Sequence, residues 1–171
     1  MSRTTERNEL AHDSASRAAP RLVLTGRGIV PGRAEARALV TTQTISGWGG
    51  IDPSTGTVIE KQHELEGISF AGRILVFPGA KGSSGWSGFF QSSRLLGSPP
   101  AAMLFTTVTT KAVLGAVVTR CPTVIELDGD PVALIRTDDW VEVDGDRGRV
   151  SVFDAAPTGA GGGAGEGVRV L

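Results

Sequence analysis

The sequence predicts an α/β fold: a mixed β/β/α sandwich whose partly closed sheet is flanked by helices. Two observations carry most of that expectation. Two short apolar runs are each followed, after a turn-rich loop, by a segment with helical spacing, which is the pattern of strand–helix units. β-type alternation at both ends of the chain adds antiparallel strands, the last two joined by a D-G-D-R-G hairpin signal at residues 144–148.

Arg21–Val30 alternates and reads as a strand, with Gly28 and Pro31-Gly32 turning the chain. Ala36–Thr41 is a second strand. Residues 43–56 (QTISGWGGIDPSTG) are rich in glycine and turn formers and predict a long loop, a feature that is usually functional in a small domain. Thr57–Glu60 reads as a short strand, and Leu65–Phe70 leads through Gly72 into the apolar strand Arg73–Phe77. A helix over Ser87–Leu96 follows, with Phe89, Phe90, Leu95 and Leu96 near helical spacing. Gly97 is placed to end it, and Pro99-Pro100 cannot continue it. Ala101–Phe105 is a strand, Thr110–Thr119 a second helix and Thr123–Leu127 a buried strand. A short helix includes Val132–Ile135, and Trp140–Val143 with Arg149–Phe153 forms the closing hairpin. The folded part is then residues 21–154. Residues 1–20 read as a disordered tail and the Gly/Ala-rich residues 155–171 as a flexible one.

Composition narrows the function classes. A chain of 171 residues with 40% hydrophobic and 20% charged residues builds one core. The net charge of −1 lacks the basic excess of a nucleic-acid surface. No run approaches the roughly 18 apolar residues that span a bilayer. The polar N-terminus does not resemble a secretory leader, and a cytoplasmic setting is expected. One cysteine, Cys121, cannot form an internal disulfide and reads as a buried, inert thiol. With two histidines, His12 and His63, and no metal-ligand spacing, the chain is not expected to bind a metal alone.

Residues 78–88 (PGAKGSSGWSG) carry the chemistry. A Gly/Ser loop with one lysine, between a strand and a helix, presents N–H groups and hydroxyls that suit a carboxylate or phosphate. It lies at a strand's C-terminal end, where α/β folds place ligands. A plain surface turn is the competing reading. Lys81 precedes Gly82 instead of following it, so the G-x-x-x-x-G-K-S/T phosphate loop is absent. None of Ser83, Ser84 and Ser87 has glycine at both −2 and +2, so the hydrolase elbow is absent as well.

Four ordered segments give the chain a resemblance to a known family. They are R-G-I-V-P-G-R-A-E-A-R-A-L-V-T (27–41), S-G-W-G-G-I-D-P-S-T-G-T-V-I (46–59), His63 with G-x-x-x-A-G-R-I-L-V-F-P (67–78), and G-A-K-G-S-S-G-W-S-G (79–88). From about Gly26 to Phe153 the chain resembles the aconitase X swivel domain, the family associated with phosphomevalonate dehydratase small subunits. Gly47 stands where that family commonly has an aromatic residue, Ala36 where it often has glycine, and Glu64 where it usually has proline.

The resemblance implies the small, swivelling subunit of a hydro-lyase that dehydrates a hydroxy acid of the 5-phosphomevalonate or cis-3-hydroxy-L-proline type. It implies a large aconitase X subunit as partner, with an iron or iron–sulfur centre in that subunit and none on this chain. It makes Ser83 the proton acceptor; the plainer role for Ser83 is a helix cap. The expected substrate-binding residues are Lys81, Gly82 and Ser84 in the Gly/Ser loop and Gly49, Gly50 and Asp52 in the 43–56 loop. Each has a bland alternative: Lys81 as a solvated charge, Ser84 as a cap, Asp52-Pro53 as a turn. His63 reads as structural or as a surface group. Trp48 and Trp86 are expected to pack on the partner or over the substrate, and Trp140 in the core. The competing function is a non-catalytic anion-binding or regulatory module that kept the fold.

Overall fold

Strands with apolar residues on both faces must be covered on both, and that requirement shapes this chain. The computed structural model describes residues 18–83, 85–154, 156 and 169–170. Its strands are β1 (Leu22–Thr25), β2 (Arg27–Val30), β3 (Arg33–Val40), β4 (Ile45–Ser46), β5 (Ile51–Asp52), β6 (Thr57–Val58), β7 (Ile74–Phe77), β8 (Ala80–Lys81), β9 (Ala102–Phe105), β10 (Thr123–Ile125), β11 (Trp140–Asp144), β12 (Arg149–Phe153) and β13 (Arg169–Val170). The helices are α1 (Trp86–Leu95), α2 (Thr110–Thr119) and α3 (Pro131–Leu134).

One mixed sheet runs in the order β1-β12-β11-β3-β7-β9-β10-β2, with β13 also paired to β3. β3, β7, β9 and β10 are parallel, and the remaining pairs are antiparallel. β1 and β2 sit at the two ends of this path although only Gly26 separates them in the chain. The sheet is therefore curled until its ends nearly meet. Its inner face collects Leu24, Ala36, Val76, Leu104, Val124, Val141 and Val152 into one buried cluster. Its outer face supplies Leu39, Leu75, Phe77, Met103 and Phe105 to a second cluster, closed over by Trp86 and Phe90 of α1 and Ala112 and Ala116 of α2. The alternation Ile74/Val76 inward and Leu75/Phe77 outward is the strand period of two read on a sheet buried on both sides.

The seam between the sheet ends depends on close backbone approach. A Cβ on Gly28 would lie 1.9 Å from the Gly145 carbonyl oxygen, and one on Gly145 would lie 2.0 Å from that of Val30. Gly28, expected to turn the chain, thus lies inside β2, where the missing side chain admits the β11–β12 turn. The single strand expected over Arg21–Val30 is two strands that leave in opposite directions around the curl. Gly32, with φ +106°, makes the expected turn.

Other expectations are met with shifted limits. α2 has the predicted bounds, with the Thr109 hydroxyl accepting from the Ala112 N–H at its start. α1 ends at Leu95 with Leu96 as its C-cap, and Gly97 follows with φ +85°. The inward face of α1 is Trp86, Phe90 and Ser93, at i, i+4 and i+7; Leu95 and Leu96 are exposed and do not share that face. The 43–56 loop is more ordered than expected. β4 lies in it, and β5 pairs antiparallel with β6. Cys121 is buried, its Sγ donates to the Pro100 carbonyl, and burial pushes the thiol up to about 12 against a smaller opposing effect of Arg94. Residues 1–17, 155, 157–168 and 171, which hold most of the two expected tails, lie outside the described residues.

Trp86 is buried at 1% exposure and is not a surface residue as expected. Its indole stacks on Phe90 at 4.2 Å between ring centroids and on Phe77 at 6.1 Å, and its Nε1–H donates to the Ile45 carbonyl at 2.8 Å. Gly115 of α2 makes the space, since a Cβ there would lie 2.2 Å from the indole. Gly115→Ala is expected to cost about 1–3 kcal/mol despite the better helix propensity of alanine, because the ring or the helix must shift. Urea denaturation measures it; an equal or greater midpoint for the variant contradicts this packing.

Candidate functional site

Because β3, β7 and β9 are parallel, their C-terminal ends and the loops that leave them gather at one edge of the sheet. Thr41 follows β3, Pro78-Gly79 follows β7, and Thr106-Thr107 follows β9. Their backbones are tied together: Thr41 N–H donates to the Val76 carbonyl at 2.9 Å and Thr107 N–H to the Pro78 carbonyl at 2.8 Å. The Gly/Ser loop continues from here through β8, which pairs in parallel with β4 in the register Ile45↔Ala80 and Ser46↔Lys81. The two glycine-rich loops singled out in the sequence are thus hydrogen-bonded to each other.

Ser83 stands exposed at the end of that loop, just ahead of α1. Its carbonyl accepts from Trp86 N–H at 3.3 Å and its Oγ from Gly85 N–H at 3.4 Å. Gly85 occupies the capping position of α1, and no side chain caps that helix. The cap role weighed for Ser83 is therefore not the one it has. Gly82 has φ +86° with open space where a Cβ would stand, a conformation that suits glycine. Ser84 lies outside the described residues. Neither α1 nor α2 carries an acidic residue in its first turn, so the partial positive charge of both helix starts is left for an anion.

Lys81 has a partner that the sequence did not suggest. Its Nζ is ion-paired with Glu60, whose side chain is 18% exposed while that of Lys81 is 55% exposed. Glu60 also accepts from Ser46 N–H at 3.2 Å. Burial alone would raise the Glu60 carboxyl, but the Lys81 and Ser46 hydrogen bonds outweigh it and hold the group below its ordinary value. Lys81 is accordingly neither a free solvated charge nor an unopposed anion contact. Lys111, also not singled out from the sequence, reaches from α2 to the Gly82 carbonyl with its Nζ. Long-range partners such as Glu60 and Lys111 carry no local sequence signal.

The 43–56 loop divides. Gly47 is buried, and a Cβ there would lie 2.7 Å from the Trp86 Cα, so no side chain has room at this place. Trp48 takes up an aromatic position next door, edge-on to Phe89 of α1 at 5.8 Å and 80% exposed. Gly49 is exposed with φ +67°, and Gly50 is packed on the Ser46 carbonyl. They follow Gly47 and Trp48, which contact Trp86 and Phe89 in the N-terminal half of α1. Asp52 does not join them. Its Oδ1 accepts from Ser54 N–H at 2.9 Å and from the Ser54 hydroxyl at 2.6 Å, which also lowers its pKa. The neighbouring Pro53 carbonyl accepts from Ser98, beyond the C-terminus of α1. A ten-residue helix is about 15 Å long, so Asp52 is at the opposite end of α1 from Ser83 and has the turn role.

His63 is buried, with Nδ1 accepting from Leu65 N–H at 3.0 Å, a structural placement. Glu64 holds the loop after β3. It accepts from the Thr41 hydroxyl and from the N–H groups of Thr42 and Gln43, and the Thr41 bond first of all holds its carboxyl low. Among the described residues no three His, Cys, Asp or Glu side chains group where a metal ion could be held, and no helix is long and apolar enough to cross a membrane.

Comparison with known proteins points to one family. The family model of the aconitase X swivel domain matches residues 23–152. The phosphomevalonate dehydratase small subunit of Methanocella arvoryzae is 40% identical over 129 residues, covering 75% of this chain and 98% of that protein. The subunit of the same name from Thermococcus kodakarensis is 36% identical over 131 residues, covering 77% and 96%. The crystal structure of Thermococcus kodakaraensis aconitase X in its holo-form superposes with a TM-score of 0.72 at 35% identity, covering 77% of this chain and 98% of that one.

The Glu60 carboxyl, held low in the folded chain, stabilises the fold above the ordinary carboxylate value, and the effect is lost as pH falls through the folded value. Glu60→Gln is expected to cost about 1 kcal/mol at pH 7, less in high salt because Lys81 is half exposed. The difference from the parent should shrink as pH falls through the folded value of Glu60, which lies below its ordinary one. Urea denaturation across an acid pH series checks it, and a cost that does not change with pH assigns Glu60 a packing role instead.

Proposed function

The chain belongs to the aconitase X swivel-domain family, and we propose that it is the small subunit of a hydro-lyase that dehydrates 5-phosphomevalonate together with a large subunit. The observation that carries this reading is the exposed Ser83 at the edge where three parallel strands end, ahead of a helix start with no side-chain cap and no acidic first turn. The names of the relatives favour the phosphorylated hydroxy acid over the hydroxyproline alternative. The metal centre belongs to the large subunit in this reading. The described residues of this chain do not fit one, and no step assigned to them uses it.

Dehydration of a β-hydroxy acid breaks the C–H bond next to the carboxylate and the C–O bond of the hydroxyl. A C=C bond forms and water leaves. We assign Ser83 the task of accepting that proton. A free serine hydroxyl is a weak base, so its surroundings must favour the alkoxide. The start of α1 and the N–H groups of the Gly/Ser loop supply positive potential without an acidic side chain in the first turn of the helix. The same donors suit the charge that develops on the substrate carboxylate as the proton departs. Gly82 and Gly85 keep side chains out of the way of a ligand that approaches the backbone. Trp48, beside this edge and largely exposed, is the anchor we assign to the large subunit, since a lone exposed indole next to a site is typical of an interface contact.

Ser83→Ala should abolish turnover of 5-phosphomevalonate in the two-subunit complex while leaving assembly intact, as measured by a steady-state assay beside size-exclusion chromatography. Undiminished turnover would sink the assignment, and a complex that turns over cis-3-hydroxy-L-proline alone would move the substrate class. A chain that takes up no large subunit returns the non-catalytic module. Trp48→Ala is expected to weaken subunit association roughly tenfold in isothermal calorimetry, with the Tm of the free chain unchanged.

A further inference from the structure

Lys111 sits where helix electrostatics disfavours a cation. It is the second residue of α2, at the positive end of the aligned peptide dipoles, and no acidic residue in that first turn offsets it. Among the described residues it has no carboxylate partner; its Nζ donates to the Gly82 carbonyl. Lys81, nearer in sequence, is neutralised by Glu60. A lysine held at an unfavourable place by one carbonyl calls for a reason in that carbonyl.

Resting on the reading of Ser83 as the reacting serine, we infer that Lys111 is the positioning residue of the site. It pins the Gly82–Ser83 peptide so that the Ser83 amide N–H, and not the Lys81 ammonium, is presented to the anionic substrate. Among the described residues no peptide bond is cis, and across a trans peptide the C=O and N–H point in opposite directions. Holding the Gly82 oxygen toward α2 therefore turns the Ser83 N–H away from it. That N–H has no acceptor among the described residues, whereas the neighbouring Gly85 and Trp86 N–H groups are both taken by Ser83 itself. Gly82, at φ +86°, makes the orientation accessible and also makes it easy to lose, because nothing at its Cβ position opposes rotation. A charge-assisted bond supplies the missing restraint. It also polarises the peptide, which strengthens the N–H as a donor. The ammonium charge remains uncompensated one residue from the Ser83 hydroxyl.

The test uses the two-subunit complex with 5-phosphomevalonate and the 15N-labelled full chain. Lys111→Met is expected to lower kcat roughly 100-fold, the loss typical of one misplaced oxyanion donor, with KM changed little. Lys111→Arg, which still donates to a carbonyl, should recover most of the rate. The Tm of Lys111→Met should be equal or higher, since a cation has left a helix N-terminus; a structural role would lower it. In the labelled chain the Ser83 amide resonance should move or broaden in Lys111→Met and stay near its original position in Lys111→Arg. A Lys111→Met complex within about threefold of the parent rate, beside an inactive Ser83→Ala complex, overturns this inference and leaves the proposed function standing. Activity retained by Ser83→Ala overturns the proposed function instead. An unmoved Ser83 amide in Lys111→Met overturns the inference whatever the substrate proves to be.

Discussion

The buried indole of Trp86 is the contact on which the rest of the site side depends. It is the first residue of α1, and it is held on four sides. Phe77 and Phe90 stack on its faces, the Ile45 carbonyl accepts its Nε1–H, and Gly115 of α2 yields the space it fills. Each of these partners comes from a different element. One side chain therefore fixes the start of α1 against β7, α2 and the loop after β3 together. A large aromatic with a satisfied polar atom contributes several kcal/mol of burial, and its geometry leaves little freedom.

What that restraint delivers is a set of exposed residues on a rigid base. Gly82, Ser83 and Gly85 lie between β8, which is paired with β4, and the anchored Trp86. Loops that carry function generally stand on such a frame. The charges around the stretch are distributed unevenly. The negative ones, Glu60 and Glu64, are spent on Lys81 and on the loop after β3. Among the described residues Lys111 has no carboxylate partner, and neither helix carries an acidic residue in its first turn. The edge is thus biased toward anions, although the chain as a whole carries a net charge of −1.

Local patterns in the chain located most elements. ILVF, AMLF and the Thr110–Thr119 segment are strands and a helix by period and by caps alone. The misreadings share one cause. Gly28 and Gly47 look like punctuation in a sequence, yet each is a place where another backbone comes close. Arg21–Val30 looks like one strand, yet Gly26 breaks it so that its halves can close the sheet from both ends. Trp86 lies in a turn-rich loop motif and looks exposed, yet the partners that bury it come from distant segments.

The candidate site divides in the same way. The order of the Gly/Ser loop between an apolar strand and a helix was enough to locate Ser83 and its neighbours, because a loop at a strand's end followed by a helix start is a local arrangement. The four ordered motifs were enough to point to the family. Which charges act at that loop was decided only by tertiary structure. Parallel pairing of β3, β7 and β9 brings residues 60 and 111 to a segment centred on residue 83, and removes Asp52 to the far end of α1. A chain's own pattern reports the backbone conformation that each residue favours. It does not report which residue, tens of positions away, will supply the opposing charge or the held carbonyl, since those contacts exist only once the sheet has closed.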